Sequence, residues 1–150
     1  MSSAKTAIGS GHLRYVALAA RQLFSVIFII ASAGHFTDTT IASAAGQGVP
    51  MAGVLVPVSG LIALAGGLSV LFGYQARIGA WLLVLFLVPV TLAMHPFWAV
   101  SDPAMFPVQL ALFGRNVLML GAALRVAQVG AGSLSLDALL AEPVAVDCPA

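Results

Sequence analysis

Four long apolar segments, separated by turns and loops, account for most of the chain. Each is close to the roughly 20 apolar residues that an α-helix needs to cross the hydrocarbon core of a bilayer. The turn between the second and third segments is the short sequence GYQAR, which predicts an antiparallel pair of helices. The predicted spans cover approximately residues 15–34, 54–72, 78–94 and 108–129.

The segments between the spans contain many small and turn-forming residues. Residues 41–53 have the sequence IASAAGQGVPMAG, which is typical of a loop. Pro57 falls in the first turn of the second span, where proline is tolerated, and Pro89 predicts a kink in the third span. Residues 95–107 are rich in proline and aromatic residues and predict an interfacial loop. The pattern therefore predicts an all-α membrane protein, a bundle of four transmembrane helices.

Composition supports the same fold class and excludes several others. The 150 residues include six Lys and Arg and five Asp and Glu, so 7% are charged and 61% are hydrophobic. A soluble domain has about 25% charged residues, and a disordered chain is poor in apolar residues. A net charge of +1 also gives no basic face for nucleic acid. The lipid bilayer is therefore the expected environment.

The positive charges predict an orientation, because Lys and Arg concentrate on the cytoplasmic side of a membrane. Residues 35–53 and 95–107 contain neither Lys nor Arg. The other connections and the flanks carry Lys5, Arg14, Arg77 and Arg125. Both termini are therefore expected in the cytoplasm. The predicted organisation is an N-terminal tail over residues 1–14, a transmembrane domain over residues 15–129 and a C-terminal tail over residues 130–150.

Two features of the sequence bear on processing and cysteine chemistry. The Ala31-Ser32-Ala33 sequence after the first apolar segment is similar to a signal-peptide cleavage site, and cleavage there would leave three spans. Against cleavage, the segment is long enough to span the membrane if Arg21 extends to the interface. Cys148 is the single cysteine, so no disulfide forms within one chain.

Arg115 is the most informative polar residue, because a guanidinium inside a membrane span is costly. It lies seven residues into the fourth predicted span, roughly 10 Å deep at 1.5 Å per residue. Asp102 or Asp38 would be its ion-pair partner. Two interpretations stay open at this point: a buried ion pair that fixes the helix register, or a polar pocket for a small molecule or a proton relay.

Other polar residues extend the candidate site. Arg21 either joins it or reaches the cytoplasmic headgroups, and a stripe of small residues along the second span indicates either internal packing or a homo-oligomer contact. No HxxxH or HExxH pair is present, so no metal site is predicted. The candidate ligand-binding residues are Arg115, Asn116, His95, Asp102 and Arg21, and no catalytic residue is assigned.

Several short motifs, taken in order, resemble the DoxX family of small four-helix bacterial membrane proteins. They are GHFTD, SGLIALAGGLSVLFG, FWAVSDP, FGRN and GAGSLSLD, and the resemblance runs from about residue 21 to residue 137. It implies a multi-pass protein of the bacterial inner membrane. It also implies a link to a thiosulfate:quinone oxidoreductase, to redox stress or to quinone-like compounds.

The chain departs from the family pattern at three positions. His35 and Arg115 each stand where family members often have Lys, and Ala63 stands where a Glu is common. Asn116 matches the family. Because this chain lacks the glutamate that family members commonly have in the second span, Arg115 has no buried acid there to pair with. The expected ion-pair partner is then Asp38 or Asp102, and the resemblance gives less support to a proton-relay mechanism.

The leading functional prediction is a membrane subunit without catalytic activity of its own, accessory to a redox system. It would bind a quinone, another hydrophobic molecule or a partner redox protein near the outer face. One alternative is an oxidoreductase that itself uses quinone as acceptor. The other is a small oligomeric transporter or a structural membrane protein.

Overall fold

The computed structural model describes the backbone of residues 2–141 and the side chains of residues 12–141, and within this part of the chain every regular element is helical. The α-helices are α1 (Ser2–Gly34), α2 (Asp38–Gly46), α3 (Ala52–Phe72), α4 (Ala76–Met94), α5 (Phe106–Val129) and α6 (Leu136–Ala141), with a 3-10 helix at Phe97–Ala99. The predicted tail residues Glu142 and Asp147 and the single cysteine, Cys148, lie outside the described residues.

Four of these helices are long and apolar enough to cross a membrane, which confirms the predicted fold class. The candidate spans are His12–Gly34, Ala52–Phe72, Ala76–Ala99 and Phe106–Val129. We call the end that carries residues 35–51 and 95–105 the outer end. The end that carries residues 73–75 and 130–141 is the inner end. These names follow the predicted orientation, which stays a prediction.

The spanning helices pack in chain order, α1 against α3, α3 against α4 and α4 against α5. The core between them is apolar, and Phe28, Leu83 and Leu87 are its largest fully buried side chains. By contrast, α1 and α5 make little direct backbone contact. Side chains such as Phe24 and Met119 pack against the shared core from these two helices. The bundle is therefore least tightly closed between its first and last spans.

The stripe of small residues on α3 packs within the protomer. Gly60, Ala63, Gly66 and Gly67 are all buried there. At Gly66 the backbone of α4 is so close that an added Cβ would lie 2.8 Å from the carbonyl oxygen of Gly79. Small side chains permit such close approach between membrane helices. The spacing noticed in the sequence is thus explained by the α3–α4 and α1–α3 contacts.

Replacement of Gly66 by alanine is expected to destabilise the bundle by about 1–3 kcal/mol, since the new methyl group overpacks a backbone contact. Gly121→Ala is the matched control on α5, because nothing lies within 4 Å of its added Cβ. Thermal unfolding of the two purified variants in the same detergent measures the difference. Equal melting temperatures for the two variants would contradict the assigned α3–α4 contact.

Part of the segment predicted as a loop after the first span is helical. Helix α2 begins after Thr37, whose hydroxyl oxygen accepts a hydrogen bond from the Thr40 amide as an N-cap. Ala44 is buried against Ala52 and Val56 of α3. The apolar surface that α2 buries therefore outweighs its turn-like composition, and α2 covers the outer end of the bundle.

Residues 130–141 of the predicted C-terminal tail fold back onto the inner end. The Asp137 carboxylate accepts hydrogen bonds from the amides of Gln75, at 2.7 Å, and Ala76, at 3.0 Å. These amides begin α4, where a carboxylate also complements the helix dipole. The Asp137 amide in turn donates to the Gly73 carbonyl at 2.8 Å. This segment is therefore part of the folded domain.

Candidate functional site

A cavity of about 560 Å³ occupies the outer half of the bundle. Every long helix contributes to its wall, and α2 lies over it. Most of the lining is apolar, as in sites for small hydrophobic ligands, which range over about 300–1,000 Å³. Representative apolar lining residues are Ile27, Phe28, Val56, Phe86, Pro89 and Met119.

Four strongly polar side chains line this apolar cavity: His35, His95, Arg115 and Asn116. Asn116 is the most informative of the four, because only 5% of its surface is exposed. Its side-chain amide has no hydrogen-bond partner among the described residues. Within the described residues the one fully buried side-chain polar atom without a hydrogen-bond partner is Nε of Arg21. The Asn116 amide therefore keeps some accessible surface, and its donor and acceptor are open to a ligand at the cavity wall.

Arg115 precedes Asn116 on α5, nine residues after Phe106, so it lies roughly 14 Å along the helix. The expected ion pair is wrong: neither Asp38 nor Asp102 lies within 4.0 Å of its guanidinium. The Asp102 carboxylate instead accepts a hydrogen bond from the Ala104 amide at 2.9 Å and is exposed in the turn before α5. Asp102 therefore shapes the local turn, while the Arg115 guanidinium is left at the cavity.

The two histidines of the cavity have different partners. His35 Nδ1 lies 3.0 Å from the carbonyl oxygen of Ala31, one helical turn earlier. His95 Nδ1 lies 3.0 Å from Oε1 of Gln109 on α5. No protein hydrogen bond to Nε2 of either ring occurs within residues 12–141. Each ring therefore retains one nitrogen for a ligand.

Arg21 lies at the opposite end of the bundle. It is only 6% exposed and donates to the carbonyls of Ala131, at 2.5 Å, and Leu134, at 2.9 Å. It lines a separate inner cavity of about 400 Å³ together with Gln22 and residues 133–136. The expectation that Arg21 extends to the headgroups is therefore wrong, because the returning C-terminal segment supplies its acceptors.

The structure brings three of the five predicted ligand-binding residues together and separates the other two. Arg115, Asn116 and His95 line one cavity, whereas Asp102 and Arg21 do not. His35 completes the polar set, and sequence reasoning left it out of the candidate ligand-binding residues. Its position directly after the first span, at the same end as His95, was the available signal.

Metal binding is not favoured by the arrangement of donor residues. The structure shows no group of three or more His, Cys, Asp or Glu side chains suited to a metal ion within the residues it describes. His35 and His95 share the cavity with a guanidinium, which repels a cation. The site is instead suited to hydrogen bonding with an uncharged or anionic oxygen compound.

Comparison with known proteins gives one family assignment. No curated protein and no solved structure matches the chain. A sequence model of the DoxX family matches residues 16–96, which include α2, α3, α4 and most of the membrane-spanning part of α1. This match covers more than half of the chain, and the protein therefore belongs to the DoxX family.

Proposed function

We propose that this protein is a membrane subunit of a redox system that binds a quinone-like molecule in its outer cavity. The observation that carries the proposal is that the Asn116 amide and the Arg115 guanidinium both line a mostly apolar cavity, and that neither has a hydrogen-bond partner within the described residues. Polar groups held without partners in an apolar wall cost stability. A ligand that pairs with them recovers that cost.

The chemistry of the cavity fits an oxygen-bearing ring compound. Arg115 is a hydrogen-bond donor only, and Asn116 adds further donors through its amide nitrogen. Both line the same cavity from α5, so each can donate to a carbonyl or an oxyanion of a bound ligand. The rings of Phe28 and Phe86, whose centroids are 6.2 Å apart, offer an aromatic surface in the same cavity.

The architecture favours a ligand that arrives through the lipid. Helix α2 covers the outer end, and the side-chain amide of Gln47 lies against the carbonyls of Ala93 and Met94. In the amide orientation that directs its nitrogen to α4, Gln47 donates to these carbonyls over 3.1 and 3.2 Å. The cavity is lined by Ile27 of α1 and Met119 of α5, the two spans with little direct contact. We therefore place the entrance between α1 and α5, within the bilayer.

The proposed cellular setting follows from charge and family. Segments that carry Lys or Arg alternate along the chain with segments that carry neither, which supports a multi-pass protein with both termini in the cytoplasm. Family membership supports a bacterial inner membrane. The side chains of the cavity supply hydrogen bonds and a charge, so electron transfer would be the task of the quinone and a partner enzyme. This makes the chain an accessory subunit.

Asn116→Leu tests the proposal by separating stability from binding. The variant is expected to bind a decyl-tailed benzoquinone about 3- to 10-fold more weakly, the effect of one lost neutral hydrogen bond. The ligand-free variant is expected to be at least as stable as the wild-type protein, because a leucine side chain suits the apolar cavity wall better than an amide does. Titration calorimetry and thermal unfolding in detergent measure the two effects.

Gln128→Leu is the matched control, since it replaces an exposed amide on the inner half of the same helix. It should leave quinone affinity unchanged. Failure of the wild-type protein to bind the quinone saturably would refute the proposal. Loss of stability in Asn116→Leu would mean that the amide is a structural group.

A further inference from the structure

The imidazole of His35 is held in place by three contacts. Its Cβ packs directly over Gly60 of α3, where an added Cβ would lie 2.6 Å away. Its ring packs edge-on against Phe86, with 5.3 Å between ring centroids. Its Nδ1 lies 3.0 Å from the Ala31 carbonyl oxygen. The ring therefore has a fixed position in the cavity before any ligand binds.

The Ala31 contact also fixes which ring nitrogen carries the proton. A carbonyl oxygen only accepts hydrogen bonds, so Nδ1 of His35 must be the donor. In the neutral imidazole Nε2 is then the acceptor. His35 thus offers a ligand a hydrogen-bond acceptor, whereas Arg115 in the same cavity offers only donors.

His95 does not impose the same constraint. Its Nδ1 contacts the side-chain amide of Gln109. That amide presents an oxygen in one orientation and an NH₂ group in the other. Rotation of the amide therefore lets His95 adapt to a donor or an acceptor on the ligand. Of the two histidines in the cavity, only His35 has its acceptor nitrogen fixed in this way.

We infer that the cavity binds the hydroxyl-bearing, reduced form of its ligand more tightly than the oxidised form, and that His35 is the specificity-determining residue. The inference rests on the proposed function. A hydroquinone hydroxyl donates to Nε2 of His35 and still accepts from Arg115 or Asn116. The quinone has carbonyl oxygens only, so it leaves the His35 acceptor unpaired.

The test compares a decyl-tailed benzoquinone with its hydroquinone, titrated under argon into the full-length protein in mild detergent. Wild-type protein should bind the hydroquinone about 3- to 10-fold more tightly, the effect of one hydrogen bond. His35→Gln offers either an oxygen or an NH₂ group, so its affinity ratio should fall to about 1, with hydroquinone affinity largely kept. His12→Gln, at the inner end of α1, should retain the wild-type ratio.

The outcomes separate this inference from the proposed function. Equal wild-type affinity for the two forms would overturn the inference and leave the quinone site standing, whereas saturable binding of neither form would overturn both. Retention of the wild-type ratio in His35→Gln would also overturn the assignment of His35. Circular dichroism of each variant verifies folding, and the wild-type comparison tests the inference even if a variant fails to fold.

Discussion

Arg115→Leu is expected to weaken quinone binding by about 10- to 100-fold, the largest effect on affinity of any single replacement in the cavity. A hydrogen bond from a charged donor contributes about 1.5–3 kcal/mol, and the guanidinium is the one cation lining the cavity within the described residues. The same variant should insert and fold at least as well as the wild-type protein, since an arginine inside a span costs about 2.5–3.5 kcal/mol on insertion scales.

Arg125→Leu is the control for this experiment, because it removes an exposed arginine from the inner half of the same helix. Calorimetric titration of both variants with the decyl-tailed benzoquinone gives the affinities. We expect Arg125→Leu to bind as the wild-type protein does. An unchanged affinity in Arg115→Leu would show that the guanidinium plays no part in ligand binding.

Arg21→Met is expected to have the largest effect on stability, a loss of about 2–3 kcal/mol. The buried guanidinium donates to the carbonyls of Ala131 and Leu134. Loss of a hydrogen bond from a charged donor costs about 1.5–3 kcal/mol. Water at the inner end can bond to the freed carbonyls in the variant, which reduces the total loss. The C-terminal segment should also detach locally. Hydrogen exchange of residues 130–141 and thermal unfolding measure both effects.

Arg14→Met is its matched control, since Arg14 is exposed and, within the described residues, both its hydrogen bond and its cation–π contact are to the neighbouring Tyr15. Quinone affinity should be unchanged in both variants, because Arg21 lines the inner cavity. Equal hydrogen-exchange protection of residues 130–141 in Arg21→Met and the wild-type protein would contradict the assigned role of these hydrogen bonds.

The spanning helices were predictable because their determinant is local. Length and apolar content of a segment decide whether it crosses a bilayer, and the structure has four helices long and apolar enough to do so, as the sequence predicts. Helix α2 was not predictable in the same way. Its glycine and serine content favours a loop, and it is stabilised by burial of Ala44 against α3, a tertiary contact.

The candidate site was likewise predictable only where local sequence determines the structure, and not where tertiary contacts do. The cost of placing Arg115 in a span drew attention to α5, and Arg115, Asn116 and His95 line one cavity. The partners were not predictable from charge alone. Asp102 forms a local turn with Ala104, and Arg21 binds backbone carbonyls some 110 residues away in sequence. Backbone acceptors leave no signature in a sequence.

The most direct test of a ligand cavity in the outer half is photolabelling with an aryl-azide analogue of the decyl-tailed benzoquinone, followed by peptide mapping. We expect labels on cavity residues of α1 and α5, such as Ala31 and Met119, that disappear with excess unlabelled quinone. Labels confined to outward-facing residues such as Leu118, 77% exposed, and unaffected by competitor would contradict the proposed ligand cavity.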